Sequence, residues 1–281
     1  MLKLNCVIFY FSQQGSTQKI AQAIAEGLTS KRSRCELVRF TKLAKDLELV
    51  RKFDFSRYDL IGIGTPVYYF YPPHHLFEVF ETFPQLENKR AFLFSTSGGN
   101  PGAALFKIKQ ILDKKGLKLI DGYDKWIGLD QHRCYSHFDQ SALPRSIGHP
   151  TENELGEAKS WGKNLISKAL NPNKLEKSDF WTKDNDWAKQ GWKGRAEPFM
   201  EKWFPEFHLN KEKCTQCGKC AEQCPVDAIV LDPYPRWIKE CDRCYLWCDL
   251  YCPAQAVECD WSKQTAFMDK ILEEAKKKGR I

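Results

Sequence analysis

Eight of the chain's twelve cysteines lie between positions 214 and 252. The first four, Cys214, Cys217, Cys220 and Cys224, are spaced x2, x2 and x3, and Pro225 follows them. The second four, Cys241, Cys244, Cys248 and Cys252, are spaced x2, x3 and x3, and Pro253 follows. Such runs suit 4Fe–4S cubanes. Each cluster needs thiolates on four iron corners, and a tight loop supplies three before the chain must leave, so the cysteine before the proline serves the other cluster. Paired CxxC motifs also hold zinc tetrahedrally, but zinc needs neither the third loop cysteine nor the Cys-Pro corner. Two cubanes are the expectation and two zinc ions the alternative.

The two runs align as an internal repeat, Cys224-Pro225-Val226-Asp227-Ala228-Ile229 on Cys252-Pro253-Ala254-Gln255-Ala256-Val257. The offset is 27 for the first two cysteines and 28 for the last two, so one residue is inserted between Cys244 and Cys248. A widened loop would change the amide hydrogen bonds to the cluster and shift its potential. Loss of one cluster is the competing outcome, but all eight ligands and both prolines are present, which favours two intact clusters. Cys259 aligns with Leu231, a packing position, and reads as a buried thiol. Cys6 and Cys35 sit in strand-like contexts and read the same way.

A second chemistry-bearing segment lies near the start. The apolar run Leu4–Phe11 leads straight into Ser12, Gln13, Gln14, Gly15, Ser16 and Thr17, and then into a helical pattern. Successive backbone N–H groups at a helix start, with small hydroxyl residues around them, form a phosphate cradle. Gly15 permits the tight turn. Two further loops fall where a flavin ring would need them, after the third and fourth strands. They are Gly64-Thr65-Pro66-Val67-Tyr68-Tyr69-Phe70 and Ser95-Thr96-Ser97-Gly98-Gly99-Asn100. Gly62-Ile63-Gly64 is no dinucleotide fingerprint, because the third glycine is missing and Pro66 would block the helix. His132, Cys134 and His137 share a long loop after the fifth strand, where a solvated or packed role is the default over metal binding.

The elements that must position these loops alternate strand and helix. Strands are expected at Leu4–Phe11, Glu36–Phe40, Asp59–Gly64, Lys89–Ser95 and Leu117–Leu129. Helices are expected at Thr17–Ser30, Pro73–Phe83, Gly102–Lys115 and Glu152–Leu170. Five strands in such an alternation predict an α/β fold with a parallel sheet covered by helices on both faces, joined to a small α+β unit that carries the cysteines. The expected domains are 1–170, a tryptophan-rich linker at 171–205 (Trp181, Trp187, Trp192 and Trp203), the cysteine unit at 206–260 and a C-terminal helix at 261–281 with Phe267, Ile271 and Ala275 on one face.

Charge is uneven along these segments: residues 1–205 carry +8, 206–260 carry −4 and 261–281 carry +3. An acidic unit attached to a basic body suggests docking between the two, or toward a charged redox partner. No basic stripe with interleaved aromatics supports nucleic-acid binding. The longest uncharged stretch, Leu60 to Phe77, is broken by glycines and prolines, so no membrane span is expected. Clustered cysteines without an export signal point to a reducing, cytoplasmic compartment.

The loops SxxGST, GTPVYY and STSGG resemble those of flavodoxins. Together with the double cysteine run, nearly the whole chain resembles the flavodoxin–ferredoxin fusion proteins of anaerobic archaea and clostridia. The resemblance implies FMN phosphate held by Ser12 through Thr17, and ring contacts from Pro66 to Tyr69 and from Ser97 to Gly99. It assigns Cys214, Cys217, Cys220 and Cys252 to one cluster and Cys224, Cys241, Cys244 and Cys248 to the other. Gln14 stands where flavodoxins usually carry a threonine, and the third loop is glycine-rich where many carry a stacking tyrosine. The implied function is electron transfer between FMN and two 4Fe–4S clusters, as a carrier between redox enzymes. The alternative is a flavin-dependent oxidoreductase that reduces a small acceptor, with the clusters wiring electrons in.

Overall fold

A computed structural model describes residues 4–68, 70–98, 101–128, 148–171, 204–238, 241, 244 and 247–277. They form a five-stranded parallel sheet and two short antiparallel pairs. The strands of the sheet are β1 (Leu4–Phe11), β2 (Ser33–Phe40), β3 (Leu60–Pro66), β4 (Arg90–Ser97) and β5 (Lys118–Ile127), in the order β2-β1-β3-β4-β5. This is the flavodoxin-type order, with its switch point between β1 and β3.

Strand β1 shows why the sheet is doubly covered. Val7, Phe9 and Phe11 enter one core, while Leu4, Cys6, Ile8 and Tyr10 enter the other. A strand buried on both faces reads as a continuous apolar run, which is what LNCVIFYF is. Helices α2 (Leu43–Lys52), α3 (His75–Glu81) and α4 (Ala104–Lys114) cover the first face, around a knot of rings in which Phe9 lies 4.9 Å from Phe53 and 5.5 Å from Phe83. Helices α1 (Ser16–Leu28) and α5 (Glu152–Leu170) cover the second. They approach so closely that a Cβ at Gly27 would stand 2.0 Å from the Lys159 carbonyl oxygen, and one at Gly162 would stand 2.4 Å from that of Ile24. Gly62 and Gly64 have a packing role too: each is the register partner of a phenylalanine, Phe92 and Phe94, whose ring occupies the space a Cβ would need.

Helix α5 begins at a capping box, with Thr151 and Glu154 each bonding the other's backbone N–H. Helix α2 was not expected from the sequence. Its N-cap residue Lys42 makes no side-chain cap, and the first helical N–H, that of Leu43, is instead donated to the carbonyl of Pro225 at 2.7 Å. The cap comes from a distant part of the chain, so no local signal announces the helix.

The cysteine-bearing part contains β6 (Phe207–Leu209) paired with β9 (Val257–Cys259), and β7 (Ile229–Asp232) paired with β8 (Tyr234–Trp237). Short helices α6 (Lys219–Glu222) and α7 (Trp247–Leu250) follow corresponding points of the two cysteine runs. Helix α8 (Ser262–Lys277) forms as expected, although the side chains of Phe267, Ile271 and Ala275 lie outside the described residues. So do the four linker tryptophans, and His132, Cys134 and His137. Among the described residues no helix is long and apolar enough to cross a membrane.

Candidate functional site

The loops after β1, β3 and β4 converge at the C-terminal edge of the sheet, and hydrogen bonds tie each to the others. Ser12 Oγ accepts from the N–H groups of Gly15 at 3.1 Å and Gln18 at 3.2 Å, which folds the first loop back on itself. Gly15 caps α1 at φ 90°, a left-handed conformation that a side chain would strain, with no atom within 4 Å of where its Cβ would stand. The first turn of α1 presents N–H groups that have no partner inside the helix. Thr17 and Thr96 share a hydroxyl–hydroxyl bond of 2.8 Å, and Val67 N–H donates to the Thr96 carbonyl at 3.0 Å. The Tyr68 hydroxyl donates to Gln13 Oε1.

The second loop closes through paired backbone bonds between Tyr68 and Tyr71, with Phe70 at φ 71° between them. A non-glycine residue in that region marks a spot where packing over-rules local preference, as happens at binding loops. Ser95, Thr96 and Ser97 are buried at the end of β4, and Gly98 is exposed beyond them. Among the described residues the buried Ser95 hydroxyl has no hydrogen-bond partner, and such a hydroxyl marks a place where a polar group remains to be satisfied. Pro66 and Val67 are half-buried. Tyr69, Gly99 and Asn100 lie outside the described residues. A helix N-terminus, a strained loop and an orphaned hydroxyl on one rim are the donor set that a phosphorylated cofactor fits.

The two Cys-Pro corners repeat each other atom for atom. Ala228 N–H donates to Cys224 Sγ at 3.2 Å, and Ala256 N–H donates to Cys252 Sγ at 3.2 Å. Asp227 and Gln255, each three residues after its cysteine, take φ 51° and 49° and return an N–H to the cysteine carbonyl. Amide-to-sulfur bonds of this kind favour the thiolate and stabilise reduced clusters.

The neighbourhoods of the sulfurs sort into two sets. Burial pushes the Cys220 thiol up, and the next influences in the same direction are Cys252 and Cys214. Burial also pushes Cys248 up strongly, followed by Cys244 and Cys241. Cys252 thus lies within electrostatic reach of Cys220 in the first run, while the sulfurs that act on Cys248 are those of Cys244, Cys241 and Cys259. Cys217 is the exception: it is exposed, and the backbone N–H of Lys219 holds its thiol below the usual range. Among the described residues no three His, Cys, Asp or Glu side chains converge on one point for a single metal ion. A cubane makes a different demand, one thiolate for each of four separated irons. Cys259 packs against the small apolar cluster of this unit, and burial raises the Cys6 thiol to about 12, so both behave as structural thiols.

Sequence reading missed two basic residues beside the flavin-side rim. Arg39, at the end of β2, donates from Nη2 to the Ser12 carbonyl at 2.7 Å. Lys42 reaches the Ala221 carbonyl at 3.3 Å and Asp227 at 2.5 Å. Only the charge asymmetry between the two units pointed toward them.

A search of curated proteins returned no match. Among solved structures, a flavodoxin from the domain Archaea is 19% identical with TM-score 0.40, covering 59% of this chain and 99% of its own. Flavodoxin 2 from Bacillus cereus is 16% identical with TM-score 0.43, covering 58% and 99%. The rubredoxin oxygen:oxidoreductase from Desulfovibrio gigas is 16% identical with TM-score 0.42, and the match spans 60% of this chain but only 38% of that protein. A flavodoxin-domain family model matches residues 7–131, and a 4Fe–4S binding-domain model matches residues 207–230, which leaves the second cysteine run outside it. By these two matches the chain carries a flavodoxin domain and a 4Fe–4S binding domain, the make-up of an FMN and iron–sulfur electron-transfer protein.

Proposed function

We propose that this chain carries electrons between redox enzymes through one FMN and two 4Fe–4S clusters. The proposed domains are an FMN domain at 1–170, a linker at 171–205, a two-cluster unit at 206–260 and a closing helix at 261–281. The observation that carries the second cluster is the matched pair of Cys-Pro corners, with equal amide-to-sulfur bonds and equal left-handed residues. Two equivalent corners serve two equivalent sites.

In this reading Ser12 through Thr17 hold the phosphate with backbone N–H groups and hydroxyls. Pro66 through Tyr69 and Ser95 through Gly99 flank the ring. Gln13 positions Tyr68 by accepting its hydroxyl, so that tyrosine is an edge of the pocket rather than a free stacking ring. Cys214, Cys217, Cys220 and Cys252 ligate one cluster, and Cys224, Cys241, Cys244 and Cys248 the other. When bound, FMN exchanges one or two electrons and each cubane exchanges one. Tethering makes transfer between the units independent of carrier concentration. Eight ligating thiols suit a reducing cytoplasm, and ferredoxin-linked enzymes are the partners the make-up suits.

A reductive titration of anaerobically purified protein, followed by EPR and visible absorbance, tests the reading. The expected result is a flavin and two interacting cubane signals; one cubane, or zinc without acid-labile sulfide, refutes it. Saturable turnover of a small organic acceptor by the protein alone would establish an oxidoreductase instead of a carrier.

A further inference from the structure

Among the described residues, polar contacts between the acidic cysteine unit and the basic sheet domain gather at residues 42–43. Lys42 Nζ makes a 2.5 Å ion pair with Asp227, with side chains 22% and 43% exposed. Lys42 also donates to the Ala221 carbonyl at 3.3 Å, the Leu43 N–H donates to Pro225, and the Leu43 side chain packs against both the sheet core and the core of the cysteine unit. Three polar contacts and one shared apolar side chain converge on the chain on either side of Cys224. On the other side, three residues back, Arg39 is bonded to the Ser12 carbonyl of the first loop.

We infer that Lys42 and Leu43 form a built-in docking seam that holds residues 206–260 against the flavin-side rim, so that the two redox units move as one body rather than as beads on a linker. The seam rests on the two-unit reading above but goes beyond it, because a carrier could equally swing between partners on residues 171–205. Opposite net charges on the two units, +8 over 1–205 and −4 over 206–260, favour this contact. The ion pair is partly exposed and contributes little alone. The N–H bond to Pro225 and the Leu43 packing supply the specificity.

Zero-length carbodiimide coupling of the anaerobically purified full-length protein, read by peptide mass spectrometry, tests the seam. Lys42 is expected to join Asp227, and Asp227→Asn is expected to abolish that product; asparagine tolerates the φ of 51° at this position. A second variant, Leu43→Pro, removes the donated N–H. Proline suits the first position of α2, and Lys42 at φ −140°, ψ 136° already has the extended shape that a residue before proline adopts. The coupling yield should then fall by at least about fivefold, since one hydrogen bond alone is worth that much and the Leu43 packing is lost with it, while far-UV dichroism and both chromophores persist. Protein that shows both chromophores but couples Lys42 to no carboxylate within 206–260, or whose yield is unchanged by Leu43→Pro, overturns the seam. Absence of a chromophore counts against the proposed function, and coupling is then scored separately.

Discussion

The two halves of the molecule are held together by different physics. The sheet domain has two apolar cores on opposite faces, with Phe9, Phe92 and Phe94 fully buried. The cysteine unit has one small core: Cys220, Cys224 and Cys248 stand in it beside Val226, Ala228, Ile229, Val257 and Trp261. A unit of about 55 residues has only a marginal hydrophobic core, and three members of that core are proposed cluster ligands. The lesson is that, on the proposed function, one half offers its cofactor a rim prepared by the fold, whereas in the other the proposed ligands belong to the core itself.

The largest expected effect separates the halves outright. Stripping iron with a chelator under oxidising conditions should leave 206–260 open to protease while 4–171 survives, because for such units metal binding is folding free energy. Protease resistance of 206–260 without iron would break the comparison.

The converse test is Phe9→Ala. It should cost the sheet domain about 3–5 kcal/mol in denaturant unfolding followed by flavin fluorescence, with the iron–sulfur absorbance lost only at higher denaturant. Thr17→Val sharpens the picture at the rim. It strands the buried Thr96 hydroxyl and removes one loop-to-loop bond, so FMN affinity by titration should fall by about tenfold.

The smallest effect is a pH dependence. Asp46 is buried and accepts the Thr41 N–H, and burial dominates to raise its carboxyl to about 6. A raised carboxyl contributes stability that is present below its unfolded pKa of about 4 and is lost as pH rises through about 6. Asp46→Asn should flatten that fall, by on the order of 1 kcal/mol after allowance for solvent screening. Urea midpoints across pH 4–7 check it.

How much of this was legible in the sequence depends on how local the cause is. The apolar run of β1 and the Thr151–Glu154 box specify their elements from nearby residues, and the cysteine spacing specifies its chemistry from loop geometry alone. Strands β6 to β9 escaped because three or four residues show no period, and α2 because its cap lies in the other unit. The turn of Tyr68 toward Gln13, and the reach of Arg39 to Ser12, depend on side-chain packing between loops far apart in sequence. The nearness of Cys252 to Cys220 agrees with the cross-over that the sequence expectation assigned to it.

The cap on α2 also sets a schedule for synthesis. Leu43 precedes the Pro225 carbonyl that caps it by 182 residues (225 − 43), so at about 5–20 residues per second the ribosome delivers that partner roughly 10–40 s later. Throughout that interval the nascent sheet domain displays Leu43 and an open helix start to its surroundings. The later-made unit therefore serves as the closing piece of the earlier-made one, and chains released before residue 225 are the ones a chaperone would be expected to hold.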